Sequence, residues 1–242
     1  MPQEGELPLE SRHFMMKYFK SPQALCFLMA LSSGFIIAGY EFVRSPITSL
    51  FKSYYGMQAY PVALSVMPIA VFLSLYLYGK CLSRLGPRKT LLVTSVVSAL
   101  VVLCCFFGLK SGYPEASAMM LVFKEAYVVL IVEQYWSFIN SVLKPEKARK
   151  LNGYILSIST SGGLLAGFLI YNLAEVFGAQ SLLLFSVAAF VPAMVCADYA
   201  YAEAINQKLL NIESFASSSK KNSRDTLGLS LFKTEPVLVL IL

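Results

Sequence analysis

Long apolar stretches alternate with short polar ones along most of this chain. A helix needs ~20 mostly apolar residues to cross ~30 Å of hydrocarbon, and six stretches reach that length. They predict six transmembrane helices, called spans one to six here: Ala24–Val43, Tyr60–Tyr78, Thr90–Leu109, Ala116–Leu143, Gly153–Ala174 and Gln180–Ala202. The expected fold class is therefore an all-α membrane protein, with a six-helix transmembrane bundle over residues 24–202.

Polar segments flank this predicted bundle on both sides. Residues 1–23 contain charge throughout and no apolar core, so we expect an N-terminal segment without a signal peptide. Residues 203–233 are rich in Ser, Asn and Lys and are expected to form a polar, basic linker. Residues 234–242 begin another apolar run, which we expect to be the start of a truncated seventh transmembrane helix. This pattern is typical of the N-terminal half of a twelve-helix transporter whose second, six-helix half would be the partner of this one.

The composition agrees with a protein that lies in the lipid bilayer. Hydrophobic residues make up 57% of the chain and charged residues only 14%, whereas an average soluble domain has about 25% charged residues. We therefore expect no soluble catalytic domain, no enzyme activity and no cofactor. The five cysteines show no metal-ligand spacing and are expected to pack as small apolar residues, so no metal site is predicted.

The basic residues are distributed unevenly between the two sides of the predicted bundle. Sixteen of the 20 lysines and arginines fall before span one, between spans two and three, between spans four and five, or after span six. By the positive-inside rule these segments are cytoplasmic. The net charge of +6 thus indicates topology, and we expect no nucleic-acid partner. The predicted location is a multi-pass position in a cell or inner membrane, with the N-terminus and the linker in the cytoplasm.

Span four contains the most unusual chemistry. A charged side chain at the centre of a membrane helix costs roughly 2.5–3.5 kcal/mol, so such groups usually face a water-filled path or a partner. At 100° per residue, Glu125, Glu133, Trp136 and Asn140 share one stripe of the helix. We expect these four residues to contact substrate. The alternative is a structural polar network that neighbouring helices satisfy.

Three further polar residues in or next to the predicted spans raise separate expectations. Lys124 adjoins Glu125 in sequence and is not expected to pair with it face to face. Gln134 falls on the opposite side of span four and is expected to bridge to a neighbouring helix. Arg44 lies near the predicted end of span one. Either it reaches outward to water, or the helix continues past Pro46 and Arg44 faces the cavity as a substrate-binding cation.

The loop between spans two and three contains a glycine and arginine pattern over residues 79–89, GKCLSRLGPRK. It resembles the cytoplasmic loop signature of the major facilitator superfamily, G-x-x-x-D-R-x-G-R-R, although Ser83 replaces the acidic residue and Pro87 replaces one base. A generic basic loop is the alternative. The residues that match are Gly79, Arg84, Gly86 and Arg88.

Span five is rich in small residues. Gly163 and Gly167 have the small-xxx-small spacing that lets two helix backbones approach closely. We expect them to form a helix-packing contact, which would also allow helices to slide during transport.

Three stretches together resemble the nucleotide transporter family, which comprises the ATP/ADP translocases of plastids and intracellular bacteria within the major facilitator superfamily. The first is EAYVVLIVEQYWSFIN over residues 125–140, similar to the family pattern E-x-Y-x-x-L-x-x-x-Q-F-W-S-x-A-N. The second is KARKLNG over residues 147–153, and the third is YEFVR over residues 40–44. The resemblance implies ATP/ADP exchange by alternating access, with Glu125 in the position of a glutamate that matters for transport.

Two positions depart from the family pattern. A lysine and an aspartate that follow the span-one arginine in the family are Ile47 and Thr48 here. We therefore expect a secondary transporter for a nucleotide or a nucleotide-like anionic metabolite such as ATP or ADP. The alternatives are a proton-coupled major facilitator carrier for a different small solute, and a transporter-like membrane scaffold or sensor that does not transport.

Overall fold

The computed structural model of the chain describes residues 21–210, of which 93% lie in helices and none lies in a strand. The predicted all-α class is confirmed over this range. Four helices follow one another: α1, Pro22–Tyr55; α2, Ala59–Lys110; α3, Glu115–Val142; and α4, Pro145–Asn206. The expectations for most of the N-terminal segment, most of the linker and the seventh helix lie outside the described residues.

Helix α1 is longer than the sequence predicts. The side chain of Ser21 accepts a hydrogen bond from the Ala24 amide at 3.2 Å, and Pro22 occupies the first turn, where no amide donor is needed. The predicted end at Val43 is wrong, because the helix continues past the buried Pro46 to Tyr55. A proline is tolerated inside a packed or membrane helix when neighbouring groups satisfy the freed carbonyl.

The two longest helices each contain a single non-helical residue. In α2 it is Gly86, with φ 77° and ψ 169°, and in α4 it is Gly178, with φ 75° and ψ 157°. A positive φ of this kind suits glycine, which has no Cβ. The loop predicted over residues 79–89 is therefore wrong in extent, since the chain is helical on both sides of Gly86.

Three of the four helices in the described range are long and apolar enough to cross a membrane. They are α1, α2 and the stretch Glu146–Asn206 of α4, with mean hydropathies of 1.7, 2.5 and 1.9 over their most apolar windows. Helix α3 is not among them, because it carries Lys124, Glu125 and Glu133 within its length. The predicted count of six separate apolar spans is therefore not reproduced.

Helix α1 occupies a central position in the packing. It contacts α4 most extensively and also contacts α3, while α2 packs mainly on α3. One core cluster surrounds the second half of α1 and includes Met67, Leu109, Tyr127 and Phe190 from the other three helices. A second cluster surrounds the first half of α1, where Leu25 and Met29 lie with residues of α3 and both ends of α4.

Helices α1 and α4 approach each other backbone to backbone at a pair of glycines. A Cβ at Gly162 would overlap the carbonyl of Gly34 and lie 2.9 Å from its Cα. Next to it, a Cβ at Gly163 would lie 3.1 Å from a methyl group of Ile37. Gly167, the second residue of the predicted packing pair, has open space in the direction of a Cβ. The close contact is therefore displaced towards Gly162, and its partner is Gly34.

Candidate functional site

Glu125 of α3 lies at the junction between α1 and α3. Its Oε1 accepts a hydrogen bond from the Tyr40 hydroxyl at 3.2 Å and a second bond from the Lys124 ammonium group. The side chain of Lys124 is only 3% exposed, whereas that of Glu125 is 31% exposed. Contrary to the expectation from helix geometry, these sequence neighbours form an ion pair. The lysine stem is long enough to bend back along the helix, and burial leaves its ammonium no water to replace this partner.

A second ion pair lies on α1, within the turn that follows Tyr40. Arg44 Nη1 donates a hydrogen bond to Glu41 Oε1 at 3.1 Å, and the arginine side chain is 57% exposed. The Tyr40 ring links the two pairs: Arg44 Cζ lies 5.9 Å and Lys124 Nζ lies 5.8 Å from its centroid. Tyr40 thus contacts a buried cation and an exposed cation at the same time.

The exposed pair opens into a polar groove of about 550 Å³. The groove exists because α1 continues beyond Pro46, so that one face of its last three turns remains polar. Arg44 is therefore exposed and also lines this groove. The groove is lined by Glu41, Arg44, Ser45, Thr48, Ser49, Lys52 and Tyr60.

The two positions that depart from the family pattern lie on different sides of α1. Ile47 is fully buried in the core, so a lysine there would point away from the groove. Thr48 lines the groove, and its hydroxyl donates to the Arg44 carbonyl at 2.7 Å. The cations of the groove are therefore Arg44 and Lys52.

Beneath Tyr40 lies a cluster of aromatic rings that includes an unpartnered hydroxyl. Tyr127 packs edge-on against Tyr40 and Phe190 and stacks on Phe123, with centroid distances of 5.8–6.1 Å. It is 1% exposed, and its hydroxyl oxygen has no hydrogen-bond partner within the described part of the chain. Its position two residues after Glu125 belongs to the matched family pattern, but one sequence pattern does not reveal that the hydroxyl of this tyrosine is buried without a hydrogen-bond partner among residues 21–210.

The other three residues of the predicted stripe are not brought together with Glu125. Glu133 and Asn140 are exposed on the bundle surface, and Trp136 is half-buried edge-on against Tyr135 at 5.4 Å. Glu133 lies about 12 Å from Glu125 along the helix axis. These three residues line neither the polar groove at Arg44 nor the apolar groove between α1 and α4, and their predicted contact with substrate stays a prediction.

Gln134 does bridge to a neighbouring helix, as predicted. It is 2% exposed, and its Nε2 donates a hydrogen bond to the Thr94 hydroxyl of α2 at 3.0 Å. This hydrogen bond joins α3 to α2.

The residues of the loop motif lie around the break at Gly86. Arg88 forms a bidentate ion pair with Asp198 of α4, with Nε–Oδ1 and Nη2–Oδ2 distances of 2.6 Å and 2.9 Å. Arg84 is exposed, and a Cβ at Gly79 would meet nothing within 4 Å, so no close helix approach occurs there. Asp198 could not be predicted from the sequence, because it lies 110 residues from Arg88 and adjoins no recognisable pattern.

Two other features bear on chemistry. An apolar groove of about 380 Å³ lies between α1 and α4, and Ser161 is the one hydroxyl side chain among its lining residues. Among residues 21–210, no group of three or more His, Cys, Asp or Glu side chains is arranged to hold a metal ion. The charged pairs and the polar groove are therefore the chemically distinctive region of the described chain.

No protein-family model, no curated protein and no solved structure matches this chain. The likeness to the nucleotide transporter family consequently rests on the three sequence stretches alone.

Proposed function

We propose that this chain is a multi-pass membrane carrier that moves an anionic solute, of nucleotide or nucleotide-like type, by alternating access. The main observation behind the proposal is that two ion pairs lie around Tyr40 within an otherwise apolar helical bundle. The Lys124 ammonium of one pair is buried, and the other pair opens to a polar groove. Charged groups in a membrane have a high free-energy cost and usually line a polar path or pair with one another.

The proposed membrane arrangement has six crossings. A straight helix of 52 or 62 residues would be about 78 or 93 Å long, against about 30 Å of hydrocarbon. Met67 and Leu109, near opposite ends of α2, belong to one core cluster around the second half of α1. These facts favour a reversal of direction at Gly86 and, by the same reasoning, at Gly178.

In this arrangement α3 is the fourth crossing. The Lys124–Glu125 ion pair neutralises two charges that would otherwise prevent its insertion. The six crossings would form an N-terminal half-bundle of the major facilitator type, with a second six-helix half as its partner. The N-terminus, the break at Gly86 and the Arg88–Asp198 pair would face the cytoplasm, and the polar groove would face the outside.

The proposed mechanism is an exchange of ionic partners without covalent chemistry. An anionic group that enters the groove replaces Glu41 as the partner of Arg44, because a guanidinium binds carboxylate or phosphate with paired hydrogen bonds. Tyr40 contacts Arg44 through its ring and Glu125 through its hydroxyl, so movement of Arg44 would shift Tyr40 and change its hydrogen bond to Glu125. Glu133, Trp136 and Asn140, nearer the cytoplasmic end of α3, would line the path when the bundle opens inward.

The direct test is uptake of radiolabelled ATP by cells that express the protein. We expect saturable uptake that Glu125→Gln abolishes, because the amide cannot hold the Lys124 ammonium as an ion pair. Glu115→Gln, at an exposed position in the first turn of α3, is the matched control and should transport normally. Uptake no greater than that of cells with empty vector, at equal membrane expression, would refute a nucleotide substrate.

A proton-coupled carrier for a different solute is the second candidate. It is favoured by Glu125, whose Oε1 accepts hydrogen bonds from one hydroxyl group and one ammonium group, so that two proton-bearing groups meet at one carboxylate. This candidate requires that transport slow when the pH gradient is collapsed with an ionophore. An unchanged rate would exclude it. A membrane scaffold or sensor without transport would show no saturable uptake of any solute.

A further inference from the structure

We propose that Lys52, together with Arg44 and Thr48, forms an anion-binding site that takes a soluble anion with two adjacent negative groups, such as a diphosphate. The proposal names the substrate chemistry of the groove, and its role in transport rests on the proposed function. The binding itself does not, so the two can fail separately.

The spacing along α1 brings the three side chains to one place. Arg44, Thr48 and Lys52 follow one another at intervals of four residues, which places them on one helix face within about 80° and 12 Å along the axis. Arg44 reaches back to Glu41 and Tyr40 and Lys52 reaches to Tyr60, so the two cations bound this polar row at its ends. Ser45 and Ser49 line the same groove and add two exposed hydroxyl groups.

Each cation is positioned by an aromatic ring. Lys52 Nζ lies 4.6 Å from the ring centroid of Tyr60 at the start of α2, and Arg44 Cζ lies 5.9 Å from that of Tyr40. A cation over a ring gains roughly 0.5–1 kcal/mol at an exposed site. Because this contact is weak and forms no hydrogen bond to an oxygen, the three N–H groups of Lys52 can still donate to a ligand.

The charge balance of the groove favours an anion. Its lining contains two cations and one carboxylate, and that carboxylate, Glu41, is already bonded to Arg44. Within the described part of the chain, Lys52 forms no ion pair, so its positive charge is uncompensated. An anion with two adjacent groups fits this arrangement because one group can bind Lys52 while the other competes with Glu41 for Arg44.

A phosphate group could come from a soluble metabolite or from a lipid headgroup. We favour a soluble anion because the groove is polar along its length, with three hydroxyl residues between the cations. The apolar groove between α1 and α4, where an acyl chain would fit, is lined by other residues. The experiment below separates the two sources.

The test is isothermal titration of pyrophosphate into the purified protein in nanodiscs of neutral phosphatidylcholine. We expect Lys52→Gln to weaken binding about tenfold, which corresponds to about 1.4 kcal/mol, and Lys52→Arg to retain most of the affinity. Glu41→Gln should strengthen binding, because it removes the internal competitor for Arg44. Lys110→Gln, an exposed lysine outside the groove, removes the same charge and should leave the affinity unchanged.

Several results would overturn the proposal. Equal affinity of the wild-type and Lys52→Gln proteins would do so, as would an equal loss in Lys110→Gln, which would indicate general charge attraction. If pyrophosphate fails to bind while phosphatidylglycerol is retained in a Lys52-dependent manner, the ligand is a lipid headgroup and the soluble anion is excluded. Intact Lys52-dependent binding without ATP uptake would uphold this site and refute the nucleotide carrier. Matching melting temperatures and elution volumes of the variants exclude misfolding as the cause.

Discussion

At the scale of single residues, the most consequential arrangement is the ion pair that Lys124 forms with its own neighbour. Burying a lone ammonium group costs several kcal/mol, so the fold has to supply a partner wherever Lys124 is enclosed. Glu125 supplies it, and the Tyr40 hydroxyl shares the same carboxylate oxygen. Glu125 is partly exposed whereas Lys124 is buried, so solvent reaches only one member of the pair.

A double-mutant cycle tests this coupling. We expect Glu125→Gln to lower the thermal stability of the detergent-solubilised protein, because it leaves Lys124 buried and unpaired, at a cost of about 1–3 kcal/mol. Lys124→Met together with Glu125→Gln should recover most of that loss, since neither charge then remains. Lys89→Met, at an exposed position, should change the melting temperature little. Strictly additive effects of the two substitutions would show that the pair does not form.

At the scale of helices, the fold depends on how closely α1 and α4 approach. Helices in a membrane gain little from the hydrophobic effect when they associate, so contact between small residues is the main source of packing energy. Gly34 and Gly162 meet backbone to backbone, and Ser32 reinforces the same interface with a hydrogen bond to the Ala193 carbonyl at 2.8 Å. This contact places α1 so that its polar face is directed away from α4.

Two alanine substitutions distinguish this contact from the one that the sequence pattern predicts. Gly162→Ala should lower the free energy of unfolding by about 1–3 kcal/mol, because its methyl group overlaps the backbone of Gly34. Gly167→Ala meets open space and should be neutral or stabilising by up to about 1 kcal/mol, since alanine favours the helix. Thermal unfolding in one detergent measures both. Equal destabilisation by the two variants would refute the Gly34–Gly162 contact.

The same helices show which features of the fold can be predicted from the sequence. Apolar length predicts that residues 24–202 are helical, because hydrogen bonding within the segment is the only way to satisfy a backbone in lipid. It does not predict that α1 passes through Pro46 or that Gly86 alone interrupts α2, since both depend on tertiary packing. Of the candidate site, Arg44 and Glu125 are visible as costly charges in apolar surroundings. Tyr40, Lys52 and Asp198 are not, because their importance comes from partners on other helices.

At the scale of the whole molecule, the distribution of basic residues can be compared with the two ends of the helical bundle. The groove with Arg44 and Lys52 lies at the end of α1 that leads to the turn before α2, whereas the Arg88–Asp198 pair lies at the opposite end of the bundle. If the chain reverses at Gly86 and Gly178, every segment rich in basic residues falls on the side of the Arg88–Asp198 pair. The groove then opens on the side with few bases, where a lone cationic site can attract anions from solution.

Cysteine labelling tests both the reversals and the orientation in one experiment. Single cysteines would be placed at six exposed positions in a background without the native cysteines: Ser53, Ser83, Ser111, Glu146, Glu175 and Asn206. An impermeant maleimide added to intact cells should label the cysteines at Ser53, Ser111 and Glu175 only, and inverted vesicles should give the opposite result. Labelling of Ser53 and Ser111 from opposite sides would show that α2 does not reverse at Gly86, and labelling of Glu146 and Asn206 from opposite sides would show the same for α4 at Gly178. The expected pattern with the two sides exchanged would keep the six crossings but place the Arg44–Lys52 groove in the cytoplasm, where it would meet cytosolic nucleotides first.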